Sequence, residues 1–197
     1  MTDSYDIRFH GRGGQGTVSA AALTALAAFE DGFESQAFPK FGSERRGAPV
    51  EAYVRISRTP IRAHNQVYKP DVVVIQDVGL LRSQPLLKGL DPNGLIILNS
   101  EQPPENMSEN FRWLCLPASQ ISERHIGRPL PNTVLLGALT AGTDFVSLPA
   151  LERAVTNHLV SKGEKIVSAN IEALREGHQF ASQLFSQQAL LTQEPVS

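Results

Sequence analysis

The sequence has little of what several large classes of protein require. Its single cysteine, Cys115, excludes an intramolecular disulfide, a zinc site built from several cysteines and an iron–sulfur cluster held by this chain alone. No apolar run approaches the roughly 20 residues of a membrane-spanning helix, and the first residues are polar and acidic. With 18 Lys and Arg against 20 Asp and Glu, the net charge of −2 indicates no nucleic-acid surface. We therefore expect a cytoplasmic protein with no membrane or nucleic-acid partner.

What the sequence does contain is an alternation of short apolar segments with helical ones, which is typical of βα units in one domain. The predicted strands are Ile7–His10, Phe33–Phe38, Val50–Ile56, Val72–Ile75, Leu95–Leu98 and Phe111–Leu116. The predicted helices are Thr17–Glu30, one capped by Asn132, one capped by Ser147 and one capped by Ser168. The strand at Val50–Ile56 alternates apolar and charged residues, which predicts that one of its faces meets water.

These segments predict an α/β fold with a Rossmann-like, mostly parallel sheet, flanking helices and a helical C-terminal third. We expect a single domain over residues 1–185, followed by a tail over residues 186–197 that has no core pattern.

The strongest local signal is a GxGxxG loop that follows the first predicted strand and opens a helix. Its members are Gly11, Arg12, Gly13, Gly14, Gln15 and Gly16. Glycines let the backbone turn sharply and approach a ligand, and the free N–H groups of a helix start favour a phosphate oxygen. The alternative is a turn that only lets the helix pack on the sheet. A P-loop is excluded because no Lys-Ser or Lys-Thr follows Gly16.

The other part of a dinucleotide site, an acidic residue at the end of the second strand, is missing from the sequence. Binding of NAD requires an acidic residue at the end of the second strand, where the chain has Phe38 and Lys40, whereas Glu30, Asp31 and Glu34 come too early. Coenzyme A carries phosphates but does not need that carboxylate, so it satisfies the loop better.

A second motif, FGSERRGAP, places a charged cluster between glycines just before the strand that begins at Val50. Its candidate residues are Gly42, Ser43, Glu44, Arg45, Arg46 and Gly47. One arginine can pair with Glu44 while the other points to a ligand or a partner subunit. The alternative is a solvated charged turn.

Together the two motifs carry a resemblance to a known family. GRGGQG, FGSERRGAP, AYVRIS, PDVVVIQD, LIILNS and PNTVLLGAL, in this order, make residues 5–180 similar to the gamma subunit of the thiamine-dependent 2-oxoacid:acceptor oxidoreductases, the pyruvate:ferredoxin oxidoreductase family. The GGQG loop is shared with the related small subunit of indolepyruvate oxidoreductase. The chain departs from the family pattern at Ala48, where the family usually has glycine.

The resemblance implies a chemistry that this chain does not perform alone. Complexes of the family decarboxylate a 2-oxoacid on thiamine diphosphate with Mg, pass electrons through iron–sulfur clusters to ferredoxin or a flavin subunit, and release acyl-CoA. The resemblance places these cofactors on alpha, beta and ferredoxin-like delta subunits. It makes Gly11–Gly16 and Asn132 candidates for binding coenzyme A, and Gly42–Gly47 a loop that faces the coenzyme or the catalytic subunits. No catalytic or metal-binding residue is expected here, and the isolated chain is expected to be inactive.

Several other residues have both a functional and a structural interpretation. Asp77 and Asn99 follow parallel strands, at the edge where ligands bind, but either can simply cap a turn. His10 beside the loop is more typical of a hydrogen-bonded structural histidine, and Cys115 of a buried small side chain. Small and polar side chains share one helix face at Asn170, Ala173 and Gly177, which predicts close packing on another chain. The alternatives for the whole protein are a stand-alone NAD(P)- or flavin-binding enzyme and a purely structural subunit.

Overall fold

The computed structural model describes residues 4–40, 47–63, 65–104 and 110–191, with side chains to residue 188. The strands in this part of the chain are β1 (Ser4–Arg12), β2 (Glu34–Pro39), β3 (Pro49–Ser57), β4 (Val72–Ile75), β5 (Leu95–Asn99) and β6 (Arg112–Leu116). The helices are α1 (Thr17–Glu30), α2 (Leu80–Ser83), α3 (Ala118–Ile126), α4 (Asn132–Gly142), α5 (Leu148–Leu159) and α6 (Glu164–Leu191), with a 3-10 turn at Val160–Lys162 between the last two.

The strands form one sheet in the order β2-β3-β1-β4-β5-β6. β1, β4, β5 and β6 pair in parallel, whereas β3 is antiparallel to both of its neighbours. The predicted mostly parallel α/β sheet is confirmed. The antiparallel strand between β1 and β2 differs from a dinucleotide-binding sheet, in which the strand after the first helix lies next to the first strand.

The helices are distributed unequally over the two faces of the sheet. One face packs its apolar side chains, such as Phe9, Val74 and Ile97, against α1, α3, α4, α5 and α6 in a single large core. The other face carries Ile75 and Leu98 in a smaller core that is closed by the short α2 and the coil after it. The C-terminal third is helical as predicted, and within the described ranges no helix combines the length and apolarity needed to span a membrane.

Some predicted boundaries are wrong at the level of single residues. β1 does not stop at Gly11, because Gly11 and Arg12 still pair with β3. Ser168 does not cap a helix but lies inside α6. Asn132 is the first residue of α4 and its side chain makes no capping hydrogen bond, although Ser147 caps α5 by accepting from the backbone N–H of Ala150. The helix also continues past the predicted start of the tail, to Leu191.

The predicted exposed face of β3 is wrong for a physical reason. Tyr53 on that face is only 1% exposed, and it lies opposite Arg8 of β1. Arg8 is also buried, and its Nη2 donates to the carbonyl oxygens of Leu86 and Lys88 at 2.7 and 2.8 Å. The coil after α2 therefore covers a polar layer, which includes His10 at 4% exposure.

Two glycines bring α4 and α6 into backbone contact. A Cβ atom on Gly137 of α4 would overlap the carbonyl oxygen of Leu174, and one on Gly177 of α6 would overlap that of Val134. The small-residue face at Asn170, Ala173 and Gly177 thus packs within this chain, so the predicted contact with another chain is wrong. Spacing showed that the face packs closely, but it carried no information about the partner.

Replacing Gly177 by alanine should destabilise the protein, although alanine normally stabilises a helix relative to glycine. The new methyl group must push α4 and α6 apart, which should lower the free energy of unfolding by about 1 to 3 kcal/mol. Urea unfolding followed by circular dichroism measures this change. Gln179→Ala, at an exposed position of the same helix, is the matched control and should stay within about 0.5 kcal/mol. A stabilised Gly177→Ala protein would contradict the tight contact.

The buried His10 should make stability depend on acid. Burial lowers the pKa of His10 from 6.5 to about 4, and Nε2 of its ring has no hydrogen-bond partner among the described residues. The unfolded chain takes up this proton at about pH 6.5 and the folded chain only near pH 4, so stability is full above pH 6.5 and falls as the pH drops between these values. The loss in this window should reach about 3 kcal/mol.

The measurement is urea unfolding of the wild type and of His10→Gln at pH 7.0, 5.5 and 4.5. His10→Gln should show a flatter decline than the wild type, whereas His158→Gln, which removes an exposed histidine, should follow the wild-type curve. Equal declines for the wild type and His10→Gln would mean that His10 does not stay neutral in the folded protein.

Candidate functional site

The glycine loop is a tight turn between β1 and α1. The backbone N–H of Gln15 donates to the carbonyl oxygen of Arg12 at 3.0 Å, and the backbone N–H of Arg12 donates to Oε1 of Gln15 at 2.7 Å. Gly14 and Gly16 have φ values of +98° and +75°, in the left-handed region that side chains with a Cβ atom disfavour. The turn therefore needs glycine at these two positions whether or not a ligand binds.

The first half of the loop packs against the protein. A Cβ atom on Gly11 would overlap Oγ1 of Thr17 and lie 2.7 Å from Oε1 of Gln76. The backbone N–H of Gly13 donates to the carbonyl oxygen of Ala48 at 2.8 Å, and that of Gly47 donates back to Gly13 at 3.2 Å. The structure thus joins the loop to the end of the second motif, while the predicted loop residues Gly42, Ser43, Glu44, Arg45 and Arg46 lie outside the described residues.

Arg12 links the ends of neighbouring strands. Its Nε donates to Oδ2 of Asp77 at 2.8 Å, and its Nη1 donates to the carbonyl oxygen of Gly47 at 3.3 Å. The other oxygen of Asp77 accepts from the backbone N–H of Gly79. Asn99 has a similar function, because its Nδ2 donates to the carbonyl oxygen of Gln76 and to Ser119. These contacts support the structural interpretation of Asp77 and Asn99.

The second half of the loop lines a cavity of about 420 Å³. Gly14, Gln15 and Gly16 form one wall, and the start of α4 forms the next. A Cβ atom on Gly16 would lie 2.6 Å from Nδ2 of Asn132, so two candidate binding positions that are far apart in sequence are in contact. The volume is within the range of small-molecule sites, about 300 to 1,000 Å³.

The opposite walls of the cavity come from the C-terminal helical region and carry the positive charges of Arg128 and Lys162. Three basic residues line it: Arg128 between α3 and α4, His158 on α5 and Lys162 in the 3-10 turn. The described lining residues include no Asp or Glu. Because the first N–H groups of α1 have no partner within the helix and lie at the positive end of its dipole, the cavity favours an anion.

Hydrogen bonds between α4 and α6 fix the floor of the cavity. Oγ1 of Thr133 donates to Oδ1 of Asn170 at 3.1 Å, and Nδ2 of Asn170 donates to the carbonyl oxygen of Ile166 at 2.8 Å. The sequence does not indicate that this floor and the three basic residues form one site. They lie on three helices, a 3-10 turn and a loop and form no motif, so only tertiary packing shows that they belong together.

Cys115 is not part of this site. It lies on β6 and packs against the smaller core, and burial raises the pKa of its thiol to about 11. A thiol of this kind is a weak nucleophile at neutral pH. The structure thus agrees with the interpretation of Cys115 as a buried small side chain.

Comparison with known proteins places this geometry in a family. A family model described as pyruvate ferredoxin/flavodoxin oxidoreductase matches residues 6–180. The pyruvate/ketoisovalerate oxidoreductases common subunit gamma of Pyrococcus abyssi is 42% identical over 177 residues, which are 87% of this chain and 96% of that protein.

Two solved structures have the same fold. The pyruvate oxidoreductase subunit PORC of Thermotoga maritima is 36% identical, with a TM-score of 0.79 over 90% of this chain and 97% of that one. The 2-oxoglutarate:ferredoxin oxidoreductase of Magnetococcus marinus, solved with 2-oxoglutarate, coenzyme A and succinyl-CoA bound, is 22% identical. It has a TM-score of 0.80 over 93% of this chain and 32% of that one, a likeness that concerns the fold alone. The resemblance seen in the GRGGQG and FGSERRGAP motifs is confirmed, and this chain belongs to the pyruvate ferredoxin/flavodoxin oxidoreductase family as a gamma-type subunit.

Proposed function

We propose that this chain is the gamma subunit of a complex that oxidatively decarboxylates a 2-oxoacid to acyl-CoA, and that its cavity binds the phosphates of coenzyme A. The cavity between the glycine loop and the basic C-terminal walls carries this proposal. The family membership supports it, since relatives are named as subunits of pyruvate and ketoisovalerate oxidoreductases.

The residues of the cavity suit a phosphate chemically. Gly14 and Gly16 keep side chains away from the start of α1, so an oxygen can approach the free N–H groups there. Lys162 and Arg128 supply cations from the opposite side, and Arg128 can bind a phosphate with two parallel hydrogen bonds. The amide of Asn132 lies against Gly16 and can donate a hydrogen bond to the same ligand.

The residues of the glycine loop would have different roles. Gly14, Gln15 and Gly16 line the cavity and would contact the coenzyme. Arg12 would act indirectly, since its guanidinium is already paired with Asp77. Gly11 and Gly13 would shape the turn. The loop at Gly42–Gly47 would face the coenzyme or the partner subunits, and it would be linked to the turn by the hydrogen bonds of Gly13 with Gly47 and Ala48.

The proposal assigns the redox chemistry to partner subunits. One cysteine cannot provide the several thiolates of an iron–sulfur cluster, so thiamine diphosphate, Mg and the clusters would lie on alpha, beta and ferredoxin-like delta subunits. Ferredoxin or a flavin subunit would accept the electrons. This chain would hold and orient the coenzyme whose thiol receives the acyl group.

The sheet argues against the alternative of a stand-alone NAD enzyme. In an NAD site, the Asp or Glu that binds the ribose lies at the end of the strand next to β1 that follows the first helix. Here the strand after α1 is β2, and β3 separates it from β1. The residue that follows β2 is Lys40, which pairs with Glu51. The end of β2 therefore does not provide the carboxylate that an NAD ribose needs.

The charge of the cavity gives the first test of this function. Arg128→Ala combined with Lys162→Ala should raise the dissociation constant for coenzyme A at least tenfold, the equivalent of about 1.4 kcal/mol. Isothermal titration calorimetry on the isolated chain measures it, and added salt should weaken wild-type binding more than that of the variant. Lys165→Ala removes an exposed positive charge outside the cavity and is the matched control.

In the assembled complex the same double variant should raise the KM for coenzyme A and leave coenzyme-independent decarboxylation of the 2-oxoacid unchanged. A parallel fall of both reactions would mean that the cavity has an architectural role only. Tight binding of NAD but not of coenzyme A by the isolated chain would favour the dinucleotide alternative.

A further inference from the structure

Helix α1 has an unusual surface. Its solvent-facing side consists of Val18, Ala22, Leu26 and Phe29, and no ionisable residue occurs between Thr17 and Phe29. Leu26 and Phe29 are 54% and 67% exposed. The outer face of a surface helix is normally polar, and a helix that is apolar on all sides is normally buried. We call these four residues the α1 stripe.

The positions in the α1 stripe form one continuous surface. They follow one another by four, four and three residues, a spacing that keeps them on one face of a helix. At 1.5 Å per residue the stripe is about 16 Å long. It begins one residue before Ser19, which lines the cavity, so it extends from the candidate binding site along the side of the domain.

Other exposed apolar side chains lie on the opposite side of the cavity. Val160 is 66% exposed in the 3-10 turn, and Ile166 lines the cavity and is 42% exposed. Five of the seven large exposed apolar residues found in the described part of the chain therefore belong to the stripe or to this rim. The remaining two, Tyr68 and Val78, lie in loops beside β4.

The two acidic residues at the C-terminal end of the stripe already have partners within the chain. Glu30, at the C-terminal end of α1, pairs with Arg153 of α5 at 2.7 Å, and Asp31 accepts two hydrogen bonds from Ser147. A protein that covers the four residues of the stripe meets no charged side chain among them. An apolar, uncharged surface complements it best.

We propose that the α1 stripe is the docking surface for the partner subunit that closes over the cavity, through an apolar, uncharged surface of that subunit. The inference rests on the proposed function, since a gamma subunit that holds a coenzyme must present it to a catalytic subunit. The size of the surface supports this occupant over a second copy of the chain. Four side chains of one helix provide much less than the roughly 800 Å² per partner of a standard stable interface. A subunit that spans the stripe, the mouth of the cavity and the rim at Val160 and Ile166 gains the missing area.

The fold is consistent with this arrangement, because it also occurs as 32% of the length of a longer chain. A domain of this kind needs a surface on which its neighbours pack, and the α1 stripe holds three of the seven large exposed apolar side chains of the described residues.

The test compares assembly with folding. Leu26→Lys combined with Phe29→Lys keeps good helix-forming residues and places charge on the stripe. It should weaken binding of the chain to the purified remaining subunits at least tenfold, as measured by biolayer interferometry, and the chain should no longer co-purify with them. Ala22→Lys is a second variant that adds charge to the same surface without removing a large side chain, and it should act in the same direction. Tyr68→Lys, on an exposed aromatic residue away from the stripe, is the matched control.

Two further measurements separate the possible outcomes. The melting temperature and the coenzyme A affinity of the isolated variants should match those of the wild type. Loss of assembly without loss of coenzyme binding supports the docking surface. If the isolated wild-type chain binds no coenzyme A, that result counts against the proposed function. Loss of assembly of the charged variants would still support the docking surface. Unchanged assembly of both charged variants overturns the inference. An isolated wild-type dimer that these variants dissociate, with assembly unchanged, would assign the stripe to a second copy of the chain.

Discussion

The backbone contact between α4 and α6 is the constraint on which the rest of the site depends. Gly137 and Gly177 let each helix approach a carbonyl oxygen of the other, and this closeness allows Thr133 to reach Asn170. The N-terminal ends of the two helices are thereby held on either side of one cavity, with Asn132 against the glycine loop and Ile166 opposite. A larger side chain at either glycine would move a wall of the cavity as well as a helix, because protein interiors are close-packed and have little room to absorb the shift.

The order of the sheet explains why a glycine loop of dinucleotide type can serve a different ligand. The loop connects β1 to α1, which follow one another as in a nucleotide-binding fold. The ribose site depends on the next strand, and here the antiparallel β3 occupies that place. The glycine turn is therefore present without the strand that would carry the ribose carboxylate, and the walls opposite the turn come instead from Arg128, His158 and Lys162.

Sequence alone predicted the features that depend on neighbouring residues. The alternation of segments gave the six strands and the mostly parallel sheet, α1 was predicted over its whole length, and the two motifs identified the family. Contacts between segments that are distant in the sequence could not be predicted from local patterns. The prediction that the face of Tyr53 is exposed was wrong because the coil that covers it follows α2, far along the chain. The face at Gly177 was predicted to contact another protein because spacing cannot distinguish an internal neighbour from an external one. The basic walls of the cavity were missed for the same reason.

The distribution of the cavity walls along the chain couples ligand binding to folding. Gly14 to Gly16 come from near the start of the chain and Arg128 to Asn170 from its second half, so the cavity does not exist until these distant segments have come together. Forming contacts between such distant segments costs chain entropy. Any ligand of the cavity therefore binds the native state and not its precursors. A ligand present at 100 times its dissociation constant would add about 2.7 kcal/mol to the stability of the whole domain. In that case the supply of the ligand would help to determine how much of the chain stays folded before it is assembled.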